Sequence, residues 1–378
     1  MALTFHATEL TEAELALRDE VRAFLDSYLV PGTYEPGLGM AAGASRELSL
    51  ELGRRGWLGM ALPVEYGGKA ASVVERFVVV EELLRRGAQI EQHWTGDRQS
   101  GLSINRYGSE EQKQLLLPKI CAGEASFCIG MSEPDSGSDL SSVTTRAVKV
   151  DGGYKVTGTK IWTSNAHFCD WMIALVRTAD SEDRHQGLSQ LIIDMKSPGL
   201  SVNPIPFLDG TADFAEVSLE EVFVAESMLL GAEGDGWHQC TSELSFERAG
   251  AERWLSPYLV VEMWLREHHD DLGEEARTFL GAAVARWWGL RQVSLSVARM
   301  IDAGRAPAVE SAMGKDLGTE FEQWVMASLQ QLVDLEPSLT ASSEFERLFA
   351  KALVVSPSWT IRGGTNEILR GIIAKGLR

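Results

Sequence analysis

Positive charge is scarce in this 378-residue chain, where 35 Lys and Arg stand against 54 Asp and Glu for a formal net charge of −19. A nucleic-acid backbone is bound by clustered cations that displace its counterions, so this balance excludes nucleic acid as a partner. Cysteine is scarce too, with only Cys121, Cys128, Cys169 and Cys240. None of them has CxxC or metal-ligand spacing, which leaves neither a metal centre nor a disulfide framework and predicts reduced, buried thiols. A run of about 18 apolar residues, the minimum for a membrane-spanning helix, is lacking. The start MALTFHATELTEAE has neither the basic region nor the apolar stretch of a signal peptide, so a cytoplasmic location is expected.

What the chain does have is a 44% hydrophobic content, enough for several cores. Residues 9 to 125 carry a helical period: EAELALRDEVRAFL, SRELSLELGRRGW and SVVERFVVVEELLRRG repeat apolar residues every three or four positions. From 126 the period becomes strand-like. AVKVDGGYKVTGTKIWT alternates around an Asp-Gly-Gly turn, a hairpin signal, and WMIALVRT, GLSQLIIDM and FAEVSLEEVFV read as short strands. After GAEGDGW the helical period returns, first over SELSFERAGAERWLSPYLVVEMWLREHH, and holds to the C-terminus. The expected fold is α+β: an N-terminal helical domain (1–125), a middle β-barrel-like domain (126–236) and a C-terminal four-helix-bundle domain (237–378).

Four segments in order resemble the acyl-CoA dehydrogenase family. They are GWLGMALPVEYGG (56–68), YGSEEQKQLLLPKICAGE (107–124), the pair MSEPDSGSDL (131–140) with KIWTSNA (160–166), and IRGGTNEILR (361–370). The resemblance spans nearly the whole chain. It implies FAD as cofactor, an acyl-CoA thioester as substrate, and α,β-dehydrogenation to a trans-2-enoyl-CoA. It also implies a place in lipid metabolism such as fatty acid β-oxidation, with an electron-transfer flavoprotein as acceptor. Such chemistry needs a carboxylate base, a flavin N5 to accept hydride and donors to the thioester oxygen.

In one branch of the family the base stands just before the Gly-Thr of the last segment, where this chain has Gly363. A second branch carries it in a Glu-Arg pair after the middle domain, and that pair is present as Glu247-Arg248. The helical pattern agrees, since Leu244, Ala251 and Trp254 would share a face with Glu247, where a carboxylate needs a partner or a function. An exposed Glu on a charged helix, like Glu243, is the plain alternative. By the resemblance the Gly363 N–H donates to the thioester oxygen; as plain structure, Gly363-Gly364 is a turn before a Thr365 N-cap. Arg248 resembles the cation of the acyl-CoA site, with pairing to Glu252 at i+4 as the alternative. Met131, Ser132, Trp162, Thr163 and Ser164 are carried over as flavin contacts, Ser138 as a contact to the CoA pantetheine, and Thr365, Asn366 and Glu367 as contacts to the nucleotide end. Without the resemblance these read as turn residues and a core aromatic. His93, Trp94 and Trp254 either narrow the acyl pocket or pack.

The pattern departs at the FAD pyrophosphate and adenine motifs. LREHHDDLGEEARTFLGAA has Arg277 and Phe279 at the wrong spacing, and LQQLVDLEPSL lacks a Gly-Gly. The expectation is a tetramer in which an unlike subunit completes the cofactor site. A non-catalytic structural subunit and an acyl-CoA oxidase-like flavoenzyme are the competing readings.

Overall fold

Capping chemistry starts the helices where the apolar period predicts them. In the computed structural model, which describes residue 3 and residues 5–40 and 42–377, with backbone alone at 243–247, Thr11, Ser72 and Ser109 each accept from the amide three residues on. Glu14, Glu75 and Gln112 return the bond to the cap amide. These capping boxes open the helices Glu12–Tyr28, Val73–Arg85 and Glu110–Cys121.

The chain divides into two compact units, residues 43–71 with 90–244, and residues 1–42, 72–89 and 245–378. The first is built on eight strands: β1 (Phe127–Gly130), β2 (Arg146–Val150), β3 (Gly153–Ser164), β4 (Trp171–Arg177), β5 (Leu188–Asp194), β6 (Leu200–Ile205), β7 (Phe214–Ala225) and β8 (Leu229–Leu230). The expected hairpin is β2 and β3, turning at Asp151-Gly152 with Val150 paired to Gly153. Gly152 has φ +77°, which only glycine adopts without strain. Sheet order is β6-β7-β3-β2-β4-β5-β8, with β1 parallel beside β4.

That sheet corrects one expectation: the middle region is an open mixed sheet, not a β-barrel-like domain. A barrel needs its two edge strands to pair, and here the path ends at β6 on one side and β8 on the other. β8 is only two residues long, and glutamine amides take the place of a further strand. Gln112 Nε2 donates to the carbonyls of Ser227 (2.7 Å) and Leu229 (2.8 Å), and Gln239 Nε2 to that of Leu230 (2.8 Å). Both faces of the central strands are buried, which is why β4 reads as an unbroken apolar run from Trp171 to Val176. Met172, Ala174 and Val176 of β4 join the cluster of Tyr154, Leu191 and Val217, while Ile173 faces Leu62, Leu116 and Phe127.

In the second unit the helix Glu274–Asp302 packs on Val73–Arg85 and on Ala308–Leu332, and the latter packs on Asn366–Gly376. Two ion pairs, Arg291 with Glu81 and Arg299 with Glu14, both 2.6 Å, join the early helices to this bundle. The helical period expected to run through 242–269 is interrupted. The helix Gly236–Glu247 stops, residues 251–253 form a single 3₁₀ turn, and a new helix opens at Tyr258 behind Pro257. Gly250, a poor helix former, follows the stop, and Pro257 stands at the N-cap of the next helix, where its missing N–H costs nothing.

All four cysteines are buried and unbridged. Among the described residues no helix is long and apolar enough to cross a membrane, and no group of His, Cys, Asp or Glu is gathered to hold a metal ion.

Candidate active site

In the sheet unit, a buried ion pair holds together the two segments read as flavin contacts. Lys160 Nζ lies 2.8 Å from Glu133 Oε1 and also donates to the Met131 carbonyl at 3.2 Å. Glu133 accepts further bonds from the Thr144 and Thr145 amides (2.6 and 2.9 Å) and from the Thr144 hydroxyl. Burial alone would raise its carboxyl, but the Lys160 charge and these donors outweigh burial and bring it down to about 2. Ile161 N–H donates to the Ser132 carbonyl at 2.9 Å. With the Met131 and Ser132 carbonyls engaged in this way, what the two residues chiefly offer a ligand is donors.

Past Lys160, β3 slips register against β7: Lys160 faces Val217, yet Thr163 faces Ala215. The extra residue is a β-bulge, and bulges re-aim side chains. Trp162 takes φ +58°, uncommon for a non-glycine residue, and its indole is 54% exposed, edge-on to Phe214 at 6.1 Å. Thr163 is fully buried, and its hydroxyl has no hydrogen-bond partner within the protein. Ser164 is half-buried and Ser138 exposed. An exposed flat aromatic, an orphaned buried hydroxyl and a donor-rich strand end fit a planar heteroaromatic ring bordered by acceptors, as in an isoalloxazine.

In the helical unit, Glu247 is the last residue of its helix. Its side chain, like that of Glu243, lies outside the described residues. The apolar face proposed to continue from Leu244 to Ala251 and Trp254 does not exist as one helical stripe, because the helix ends first. Arg248 is buried, and its Nε donates to the Gly363 carbonyl at 3.3 Å. Gly363 and Gly364 both sit in the left-handed region (φ +66° and +91°), and a Cβ on Gly363 would be 2.8 Å from Arg253 Nη2. Thr365 caps the helix Asn366–Gly376, accepting from the Ile368 amide, as its plain reading had it. Glu367 is exposed in the first turn. Asn366 is buried, and its Oδ1 accepts from Lys315 Nζ (2.6 Å) and Thr319 Oγ1 (3.1 Å).

Several charged residues around this turn were not singled out from the sequence. Arg362 pairs with Glu322 at 2.6 Å, and Glu322 also accepts from the Ser256 amide. Burial pushes the Glu322 carboxyl up. Lys315 is fully buried; burial first, then the Arg253 and Arg362 charges, bring its ammonium down to about 7. A signal was present: Lys315, Thr319 and Glu322 stand at i, i+4 and i+7 on the face that carries Ala312, Val325, Met326 and Leu329. Trp254 packs, its Nε1 donating to Ser294 Oγ (2.9 Å), while His93 and Trp94 are buried, His93 Nδ1 lying 2.7 Å from Ser49 Oγ.

Comparison with known proteins identifies the class. The N-terminal, middle and C-terminal domains of acyl-CoA dehydrogenases match residues 11–124, 128–222 and 275–378. The chain belongs to the acyl-CoA dehydrogenase family and is an enzyme of that oxidoreductase type, for which membership implies FAD. Among its relatives, acyl-CoA dehydrogenase FadE29 of Mycobacterium tuberculosis is 31% identical over 382 residues, covering 97% of this chain and 96% of that protein. Acyl-CoA dehydrogenase IpdE1 of Mycolicibacterium smegmatis is 31% identical over 95% of both. In three dimensions the chain is similar to the Tcur3481-Tcur3483 steroid ACAD (28% identity, 98% of both chains, TM-score 0.84). It is also similar to the ChsE4-ChsE5 complex from Mycobacterium tuberculosis (28%, 99% of this chain and 100% of that one, TM-score 0.82).

Proposed function

We propose that this chain dehydrogenates a bulky acyl-CoA between its α and β carbons, with Glu247 as the base. One observation carries the reading: the side chain of Arg248, the residue after Glu247, is hydrogen-bonded to the Gly363 carbonyl, so the segments of the proposed base and the proposed thioester donor are tied together in one compact unit. Glu247 takes the α proton. The Gly363 N–H donates to the thioester oxygen, lowering the cost of the negative charge that develops there. Bound FAD would supply the acceptor for the β hydrogen, which leaves as hydride to give a trans-2-enoyl-CoA. The flavin would be held by donors from Met131 and Ser132 at the ring edge, by Trp162 beside the ring, and by Thr163 and Ser164 on its N5 side. Ser138 meets the pantetheine, and Thr365 and Glu367 face the nucleotide end. Asn366 serves that end from behind, through the turn it anchors. Arg248 serves the acyl-CoA site chiefly by fixing Gly363.

Glu247→Gln keeps the shape and removes the base. The flavin stays bound, and its reduction by acyl-CoA falls by about 10³-fold or more. Near-normal bleaching of the flavin in this variant sinks the assignment.

A second proposal concerns assembly. Phe279, half of the misplaced nucleotide motif, is buried against Trp264 and Trp324, which supports an adenine site completed by an unlike subunit. The heteromeric make-up named for the ChsE4-ChsE5 complex and the steroid substrate named for the Tcur3481-Tcur3483 protein point the same way for partner and acyl group. Electrons then pass to an electron-transfer flavoprotein in the cytoplasm. A single-gene product carrying one FAD per chain with full activity disposes of the unlike partner; sub-stoichiometric flavin restored by co-expression supports it.

A further inference from the structure

The left-handed turn at 361–365 carries the Gly363 amide, and both of its ends are fastened to the same atom. Lys315 Nζ donates to the Thr360 carbonyl at the entry and to Asn366 Oδ1 at the exit, each at 2.6 Å. The lysine and Thr319, which shares Asn366 Oδ1, are fully buried, and Asn366 is 5% exposed. Thr365 caps its own helix, but that cap fixes the turn only relative to the helix Asn366–Gly376. Lys315 fixes it relative to the helix Ala308–Leu332, on which the bundle is built.

We infer that Lys315 is the positioning residue for thioester activation: its ammonium sets where the Gly363 N–H points. This inference rests on Gly363 as the thioester donor. Two consecutive positive-φ glycines have several backbone alternatives of similar energy, so an unfastened turn would aim its amide poorly. Arg248 and Arg253 brace the same glycine, from its carbonyl and from beneath its Cα. Burying a third cation beside Arg253 and Arg362 opposes folding, a cost that a neutral donor would have avoided. What an ammonium adds is reach to both ends and a positive field behind the oxygen that becomes negative.

The test reads the bond directly. In the flavin-loaded Glu247→Gln protein, with its partner subunit where loading requires one, substrate stays intact. Cholyl-CoA and isovaleryl-CoA, each ¹³C-labelled at the thioester carbonyl, are followed by isotope-edited infrared spectroscopy. A donated hydrogen bond lowers the labelled C=O stretch. Adding Lys315→Met is expected to return the band at least halfway to its value in water. In the Glu247 background the same change slows flavin reduction about 10- to 100-fold, with KM altered less than about threefold. An unshifted band in the presence of Lys315 overturns the Gly363 reading and this inference with it. A shifted band that Lys315→Met leaves in place overturns this inference alone. Should Lys315→Met fail to fold, Asn366→Ala releases only the exit anchor: a retreating band supports the role of Lys315, and an unchanged one removes it.

Discussion

Lys160 and Lys315 are both completely buried, and each holds a segment proposed to meet the reacting groups, but they are compensated in opposite ways. Lys160 has a carboxylate at 2.8 Å, and that carboxylate is further satisfied by Thr144 and Thr145. Among the described residues Lys315 has neutral oxygens at bonding distance, and its charged neighbours are of both signs, Arg253 and Arg362 against Asp316 and Glu322. The first arrangement is a closed clamp that leaves little net field. The second, while Lys315 is protonated below about pH 7, leaves positive charge behind a turn whose proposed task is to stabilise negative charge. Burial alone therefore says little about what a lysine does; the charge of its partners separates the two cases.

The largest effect expected from this contrast follows from removing the closed clamp. Lys160→Met leaves the Glu133 carboxylate buried without its cation, which costs about 3–5 kcal/mol at neutral pH. Glu133 titrates in the fold at about 2, below its ordinary 4.5, so the stabilisation is complete above about 4.5 and lost as pH falls towards 2. Urea unfolding at pH 7 measures the loss. Flavin content should fall with it, because the strand end at Met131 loses its anchor. Lys315→Met, which also relieves a buried charge, should cost much less. Equal losses in the two variants would erase the distinction.

How much of this was legible in the sequence depended on how local the determining interaction is. The β2–β3 hairpin was readable because its turn and its alternation lie within 147–163, and so were helices opened by a Ser or Thr with a Glu or Gln three residues on. The openness of the sheet was not. It depends on a two-residue strand and on glutamine amides from 112 and 239 reaching carbonyls near 229. The helix break after Glu247 had a signal in Gly250 and Pro257, but apolar residues keep helical spacing across it, so the period hid the stop. Of the residues proposed for the flavin, Thr163 gained most from the fold, since an unpartnered buried hydroxyl has no sequence signature. Asn366 gained a structural tie that had no local signature, because its partner Lys315 is 51 residues away on another helix. Glu133 and Lys160 lay inside the two signature segments, yet nothing local in either said that they meet.

The smallest effect expected is a slope in stability with pH that belongs to Lys315 and has no counterpart at a compensated lysine. Its folded value of about 7 lies below the ordinary 10.5. Between these values the unfolded chain binds the proton and the folded chain does not, so unfolding takes up a proton and stability rises with pH. Below about 7 the buried charge opposes folding in full; towards 10.5 that opposition is relieved. The wild type should therefore gain on Lys315→Met, on the order of 2 kcal/mol between pH 7 and 9. Other titrating groups are common to both proteins and cancel in the difference. Asp316 and Glu322 on the same helix pull the opposite way from burial and from Arg253 and Arg362, and the slope measures the net of all three. A flat difference across that range would mean that the acids offset both burial and the arginines at this site. Lys315 would then be a second closed clamp rather than the source of an uncompensated field.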